Sequence, residues 1–418
     1  MSGKGATKNS SYAWKIVFMC CCLSGSVAGM VAHCKGIFFA PAAADLGVSA
    51  TKFATYATFG TLIGVFTMPL VIKLFNTKPL KLILTIYLVM LCGSDVLLSF
   101  ATAMWQCYLI GLMQGVVLSF LTVYPIAYLL RNWFTKKRGL VTGISTMFAG
   151  LFSSVMNIVL NRLIETMGWR ITYTLLGVSA FLIAEIPVLL FAVRDPADIG
   201  VEPYGGFDEQ SPKVKEKAKL SKTLLLSLIP IFILVLAFYS TTGYNQHLPN
   251  YAKSLGLSSM FGASLISVCM VGNTVSKPVL GYINDKIGVY KTSMITVISM
   301  ALAFFYLVFA SPLHAWLLYI AAAVLGQSTA FIVVQLPLLL SSQYTNQSEY
   351  ETCMASVMMV GSLVGAFSNI IINSLFNVSC SYQLGHAISG ISLLIGAFMI
   401  LLLAHKKRSK TDAMKDAL

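Results

Sequence analysis

Lys277 stands inside a stretch, from about Ser258 to Gly281, that otherwise reads as a membrane-crossing helix. A charged group at the centre of a bilayer costs roughly 2.5–3.5 kcal/mol on insertion scales. Such a lysine is kept where it meets water, a partner or a substrate. Lys35 lies towards the far end of the first apolar run, and Asn273, one helical turn before Lys277, shares its face. Two cations set into apolar sequence are chemistry for holding an anion. The alternative for Lys277 is a side chain snorkelling to the surface. For Lys35, a bilayer's length of helix beyond Trp14, the alternative is a mark of the outer interface.

The elements that must position these cations are long and greasy. The chain has 418 residues, 57% hydrophobic and 11% charged, with a mean hydropathy of +0.79. Apolar runs of about 20 residues, enough to cross a bilayer, centre near residues 26, 62, 90, 117, 150, 182, 234, 269, 300, 327, 363 and 393. In lipid each run must close its own backbone hydrogen bonds. The fold expected is therefore all-α and polytopic, with twelve transmembrane helices and no sheet.

The net charge of +14 is topological. With the N-terminus inside and twelve crossings, 23 of the 29 Lys and Arg fall on the cytoplasmic side. That asymmetry places both termini in the cytoplasm and removes nucleic acid as an implied partner. The nine cysteines, most of them in apolar runs, show no metal-ligand spacing, and a disulfide framework is not expected. No small-residue cleavage site marks the first run, which reads as a retained helix. No nucleophile–base pair, metal cluster or nucleotide loop argues for an enzyme, and no cofactor is implied.

The longest polar stretch, Arg194 to Lys222, separates six apolar runs from six. The organisation expected is an N-terminal six-helix bundle over residues 1–193, a linker over 194–222, a C-terminal bundle over 223–405 and a basic tail over 406–418. Within the linker, Lys213–Lys219 reads either as an amphipathic surface helix or as a solvated connection. Leu46-Gly-Val-Ser49 after the first run is echoed by Leu255-Gly-Leu-Ser258 after the seventh, at the same topological place. Two pseudo-symmetric six-helix halves are a transporter plan with a substrate site at their interface.

Gly281-Tyr-Ile-Asn-Asp285-Lys286-Ile-Gly288-Val-Tyr-Lys291 occupies the short turn between the eighth and ninth runs. Gly281 and Gly288 permit a tight turn, and Asp285 can cap or face a helix N-terminus. The pattern resembles the signature loop of the major facilitator superfamily, G-x-x-x-D-[RK]-x-G-x-x-[RK], which latches one conformation during transport. The matching loop of the first half departs from it, with Pro69 at the glycine place and Lys73 at the acidic one.

Arg131-Asn-Trp-Phe-Thr-Lys-Lys-Arg138-Gly139-Leu-Val-Thr-Gly143 is similar to the W-F-x-x-[KR]-R-G-x-x-x-G segment of oxalate/formate antiporters and monocarboxylate transporters. Gly168-Trp169-Arg170 and Arg194-Asp-Pro-Ala-Asp-Ile-Gly-Val-Glu-Pro-Tyr-Gly205 resemble the same group. The resemblance implies that Lys277 binds a substrate carboxylate, where relatives usually carry Arg with its bidentate fork. It implies that Lys35 contacts substrate as well. At the position of Asn273 the proton-coupled relatives carry Asp. Asn cannot titrate, which leans towards exchange or uniport and leaves room for a proton step at Lys35.

Tyr124, Tyr244, Asn245 and Gln327 fall on helices that line the cavity in this superfamily, though such groups also serve as interhelical glue. Asp95 and Glu185 fall on helices that are peripheral in the superfamily this chain resembles, and are expected to have interfacial or inter-helix roles without substrate contact. Gly143, Ala149, Gly150, Gly361 and Gly365 are expected to permit close helix packing.

The function expected is secondary transport of a small mono- or dicarboxylate by alternating access, as exchange or proton-linked, by a monomer in the plasma (inner) membrane. Lys35, Lys277, Asn273, Tyr124, Tyr244 and Gln327 are the candidate substrate contacts. Gly281, Asp285, Lys286, Gly288 and Lys291, with Arg138 and Gly139, are the candidate gating residues. An exporter of amphipathic compounds is the alternative.

Overall fold

The computed structural model describes residues 3–206, 222–344 and 346–416. The chain divides into two compact units, Met1–Glu209 and Gln210–Leu418.

In the first unit, α1 (Gly3–Leu23) runs into a π-helical stretch (Ser24–Ala32) and then, past Lys35, into α2 (Gly36–Asp45). There follow α3 (Ala50–Thr77), α4 (Leu80–Ser99), α5 (Met104–Leu121), α6 (Tyr124–Trp133) and α7 (Arg138–Phe191). In the second unit come α8 (Lys222–Thr241), α9 (Tyr244–Ser254), α10 (Ser259–Ile287), α11 (Val289–Phe309) and α12 (Ala315–Leu325). They are followed by α13 (Gln327–Ala330), a second π-helical stretch (Phe331–Gln335), α14 (Leu336–Gln343), α15 (Gln347–Ser379) and α16 (Gln383–Asp416). All twelve apolar centres fall within helical segments. Eight helical runs among the described residues are long and apolar enough to cross a membrane. One of these, Arg138–Phe191, has 54 residues, about 80 Å of helix and so the length of two crossings, and it breaks at Gly168. Length and apolarity alone therefore do not reach the expected count of twelve.

The echoed tetrapeptides turn out to be matched stop-and-start signals. Gly47 and Gly256 adopt φ of 65° and 78°, a left-handed conformation that glycine enters without a Cβ penalty. Each ends a helix in the C-terminal manner that satisfies its last carbonyls, with Val48 N–H donating to Ala43 and Leu257 N–H to Ala252. Ser49 and Ser258 then accept from the backbone N–H of Lys52 and Phe261, each at 3.2 Å, and cap α3 and α10.

Small residues set the closest crossings inside each unit. A Cβ on Gly115 of α5 would run into the backbone of Gly60 on α3, and one on Gly272 of α10 into that of Ala323 on α12. Gly29 meets the backbone of Ala149 on α7, and Gly361 on α15 lies under the Tyr239 ring. Backbones pack this closely in apolar surroundings because side-chain-free contact is where van der Waals attraction is gained. The β-type pairing found among the described residues is a single bridge between Phe134 and Tyr204. The Lys213–Lys219 segment lies outside the described residues.

Candidate functional site

Lys35 sits where the first helix passes from its π-helical stretch to α2, the kind of irregularity often found at functional sites. It is half-buried. Its Nζ donates to Gln114 Oε1 at 2.6 Å and lies 5.9 Å from the centre of the Tyr56 ring. Gln114 Nε2 in turn donates to Asp95 Oδ1 at 2.7 Å. Gln114 and Asp95 are both buried. Asp95 approaches α7 at Gly177, where a Cβ would stand 2.7 Å from its own. Asp95 is thus more than a peripheral inter-helix residue: an amide links it to a candidate substrate lysine. α4 packs on α5, and Asp95 meets Gln114 across that contact.

Lys277 is buried, with 2% of its surface exposed, as deep as the aromatic core. Asn273 and Ser276 on the same helix are also buried, and Ser276 Oγ back-bonds to the Gly272 carbonyl. The Oδ1 of Asn273 has no hydrogen-bond partner among the described residues. Across the α10–α12 crossing, the second π-helical stretch places Gln335 at 0% exposure. Its Nε2 donates to the Leu280 carbonyl at 3.3 Å, while its Oε1 and the buried Ser328 hydroxyl find no partner among the described residues. This part of the second unit therefore carries several buried polar atoms around one cationic helix. Buried groups of this kind are costly unless satisfied, and each calls for a partner.

The other candidates occupy separate clusters. Tyr124 packs among Phe75, Phe120 and Tyr128, with ring centres 5.4, 5.9 and 5.9 Å away. Tyr244 packs on Phe304 and His386, both at 5.2 Å. Gln327 Oε1 accepts from Ser299 Oγ at 3.2 Å and ties α13 to α11. Gln114, Ser276, Ser328 and Gln335 escaped the reading of the sequence. For the two glutamines the signal was available, since Gln114 and Gln335 each stand in an otherwise apolar run.

The loop around Asp285 differs in detail from the expectation. A single residue, Gly288 at φ 87°, makes the turn between α10 and α11. Gly281 lies buried within α10, and Asp285 sits exposed in the last turn of the same helix. Gly288 itself holds the N-cap position of α11, and Asp285 lies three residues before it. One left-handed glycine suffices to reverse the chain here, which leaves Gly281 free to continue the helix. Lys286 Nζ lies 5.4 Å from the Tyr282 ring, and Lys291 is exposed.

Two quoted segments, far apart in sequence, fold onto each other at one end of the first unit. Trp133 Nε1 donates to the Val193 carbonyl at 3.0 Å, Asn132 to Asp195 Oδ1 at 2.7 Å, and Tyr204 N–H to the Trp133 carbonyl at 2.8 Å. Arg194 reaches the carbonyls of Phe75 and Lys78. Arg138 opens α7 while donating to the Phe134 and Arg131 carbonyls at 2.9 and 3.2 Å, and Gly139 is buried beside it. At the opposite end, Trp169 Nε1 and Arg170 converge on Asp45 Oδ2, at 3.1 and 2.8 Å.

The family model described as Major Facilitator Superfamily matches residues 16–369. The chain is 24% identical over 318 residues to the yeast protein "Uncharacterized transporter ESBP6", an alignment covering 75% of the chain and 46% of that relative. The chain thus spans about half the length of this relative. It is also 24% identical over 407 residues to monocarboxylate transporter 13 of Rattus norvegicus, covering 95% of the chain and 90% of the relative. Among solved structures, the E. coli fucose:proton symporter FucP superposes with a TM-score of 0.69 at 14% identity, covering 94% of this chain and 99% of that one. This last likeness concerns the fold.

Proposed function

The chain belongs to the major facilitator superfamily, whose members are transporters and not enzymes, and from that premise we propose that it carries a small organic anion, a mono- or dicarboxylate, by alternating access. The observation that carries the proposal is the burial of Lys277 within an otherwise apolar helix. At 4 Å and an effective dielectric near 20, a lysine–carboxylate pair gains about 4 kcal/mol before desolvation. That is enough to hold a metabolite and still release it. The likeness to a monocarboxylate transporter over 95% of the chain supports the same cargo.

In this reading Lys277 takes the carboxylate. Asn273, a turn earlier on the same face, offers its amide as a hydrogen-bond donor. Lys35 supplies the second positive charge, in the first unit. Tyr124, Tyr244 and Gln327 are the remaining candidate cargo contacts, each held within its own packing cluster. Asp285, Lys286, Gly288 and Lys291 form a latch remade during transport, with Gly281 in the helix leading to it and Arg138 and Gly139 as further gating residues in the first unit. The protein is expected to act as a monomer in the plasma (inner) membrane with both termini cytoplasmic.

The test is counterflow in liposomes carrying the purified protein. Labelled lactate, pyruvate, formate and oxalate are offered with and without a pH gradient. Saturable counterflow of one of them, lost in Lys277→Ala, is the expected result. Transport of bulky amphipathic compounds with no response to Lys277→Ala would favour an exporter and overturn the proposal.

A further inference from the structure

Asp95 is a buried carboxylate with one oxygen occupied and one idle. Oδ1 accepts from Gln114, while Oδ2 has no hydrogen-bond partner among the described residues. The far side of Gln114 accepts from Lys35, so a neutral amide stands between opposite charges. The Tyr173 hydroxyl also engages the Gln114 side chain. The titratable groups facing Asp95 are Lys35 from the first helix, Tyr56 from α3, Tyr173 from α7 and Cys92 on its own helix. Cys107 of α5 lies next to Tyr56. Glu185 is engaged with Thr85, and Arg170 with the Ser99 carbonyl, towards the two ends of α4.

With both groups ionised, the Lys35–Asp95 pair is neutral overall. An anion arriving at Lys35 adds one uncompensated negative charge in apolar surroundings, and such a charge is costly. A proton on Asp95 Oδ2 cancels that charge and leaves the Gln114 bond to Oδ1 intact. We propose that Asp95 is a proton-binding site linked through Gln114 to the anion load of Lys35, so that one proton travels with one carboxylate. This inference rests on the carboxylate cargo proposed above. The proton adds to the carboxylate oxygen from the aqueous phase on one side and leaves to the aqueous phase on the other. No bond of the cargo is made or broken. The sign is fixed: the protonated state favours the anion, so affinity is highest at low pH and falls as pH rises.

Two measurements on the purified full-length protein test this. An infrared pH titration reads the carbonyl band of protonated carboxylic acids in the wild type and in Asp95→Asn. Liposome uptake reads the half-saturation for lactate, pyruvate, formate and oxalate against pH. The expected results are a pH-dependent band missing from Asp95→Asn and a wild-type half-saturation that weakens up to about tenfold per pH unit. In Asp95→Asn and in Gln114→Met that slope should flatten to less than about twofold. Gln114→Met keeps both charges and serves if Asp95→Asn does not fold. A band that survives in Asp95→Asn, or a pH slope in folded Gln114→Met equal to that of the wild type, overturns the proposal. An Asp95-dependent band in a protein that moves none of the four acids sinks the carboxylate cargo and leaves Asp95 as a proton site.

Discussion

Gly115 on α5 lies so close to Gly60 on α3 that a Cβ at 115 would overlap the Gly60 carbonyl. The two backbones meet with no side chain between them, and the first unit has no slack at this crossing. Gly115→Ala should destabilise by about 1–3 kcal/mol, the usual cost of overpacking, read as a lower Tm in detergent. Gly93→Ala on α4 is the control. A Cβ there meets nothing within 4 Å, and its Tm should stay near that of the wild type.

Arg170 and Asp45 form a pair at 2.8 Å whose side chains are 36% and 45% exposed. Solvent screens such a pair, and a double-mutant cycle should return a coupling of about 0.2–1 kcal/mol that shrinks with salt. Arg170→Ala and Asp45→Ala should each cost more than that coupling, because the guanidinium also donates to the Ser99 carbonyl at 2.6 Å and Asp45 also accepts from Trp169 Nε1 at 3.1 Å. A single-mutant loss no larger than the coupling would show that the second bond contributes nothing.

Trp133 joins two segments about sixty positions apart through one indole N–H. Trp133→Phe keeps the ring and removes the donor. It should cost about 1 kcal/mol, the usual net worth of a hydrogen bond, because the Val193 carbonyl left behind is only half-buried. Limited proteolysis should then cut more readily around Val193–Tyr204 than in the wild type. Unchanged cleavage would mean that the Tyr204 and Asn132 bonds hold the segment by themselves.

The membrane-spanning class and the helical positions were legible because apolar runs and backbone satisfaction leave little choice in lipid. The repeat was legible at Leu46–Ser49 and Leu255–Ser258 because left-handed glycine and a serine cap are local devices that act within four residues. Trp133, Arg194 and Tyr204 were recognisable as segments, but their mutual docking depends on contacts across the chain that no local pattern carries. The Lys35–Gln114–Asp95 chain stayed hidden for the same reason. Asp95 sits on a helix that counts as peripheral, and only the α4–α5 packing turns it towards Gln114. The turn at Gly288 was visible in the sequence, whereas the helical state of Gly281 was not. A glycine permits a turn without requiring one.

Anion binding turns on Lys277, and a thermal-shift titration of lactate, pyruvate, formate and oxalate on wild type and Lys277→Ala tests it most directly. A ligand that binds only the folded state at a hundred times its Kd stabilises by about 2.7 kcal/mol. At least one acid should raise the Tm of the wild type, and the same acid should require at least about tenfold more to shift Lys277→Ala. If no acid shifts the wild type, or both proteins respond alike, Lys277 does not hold the anion.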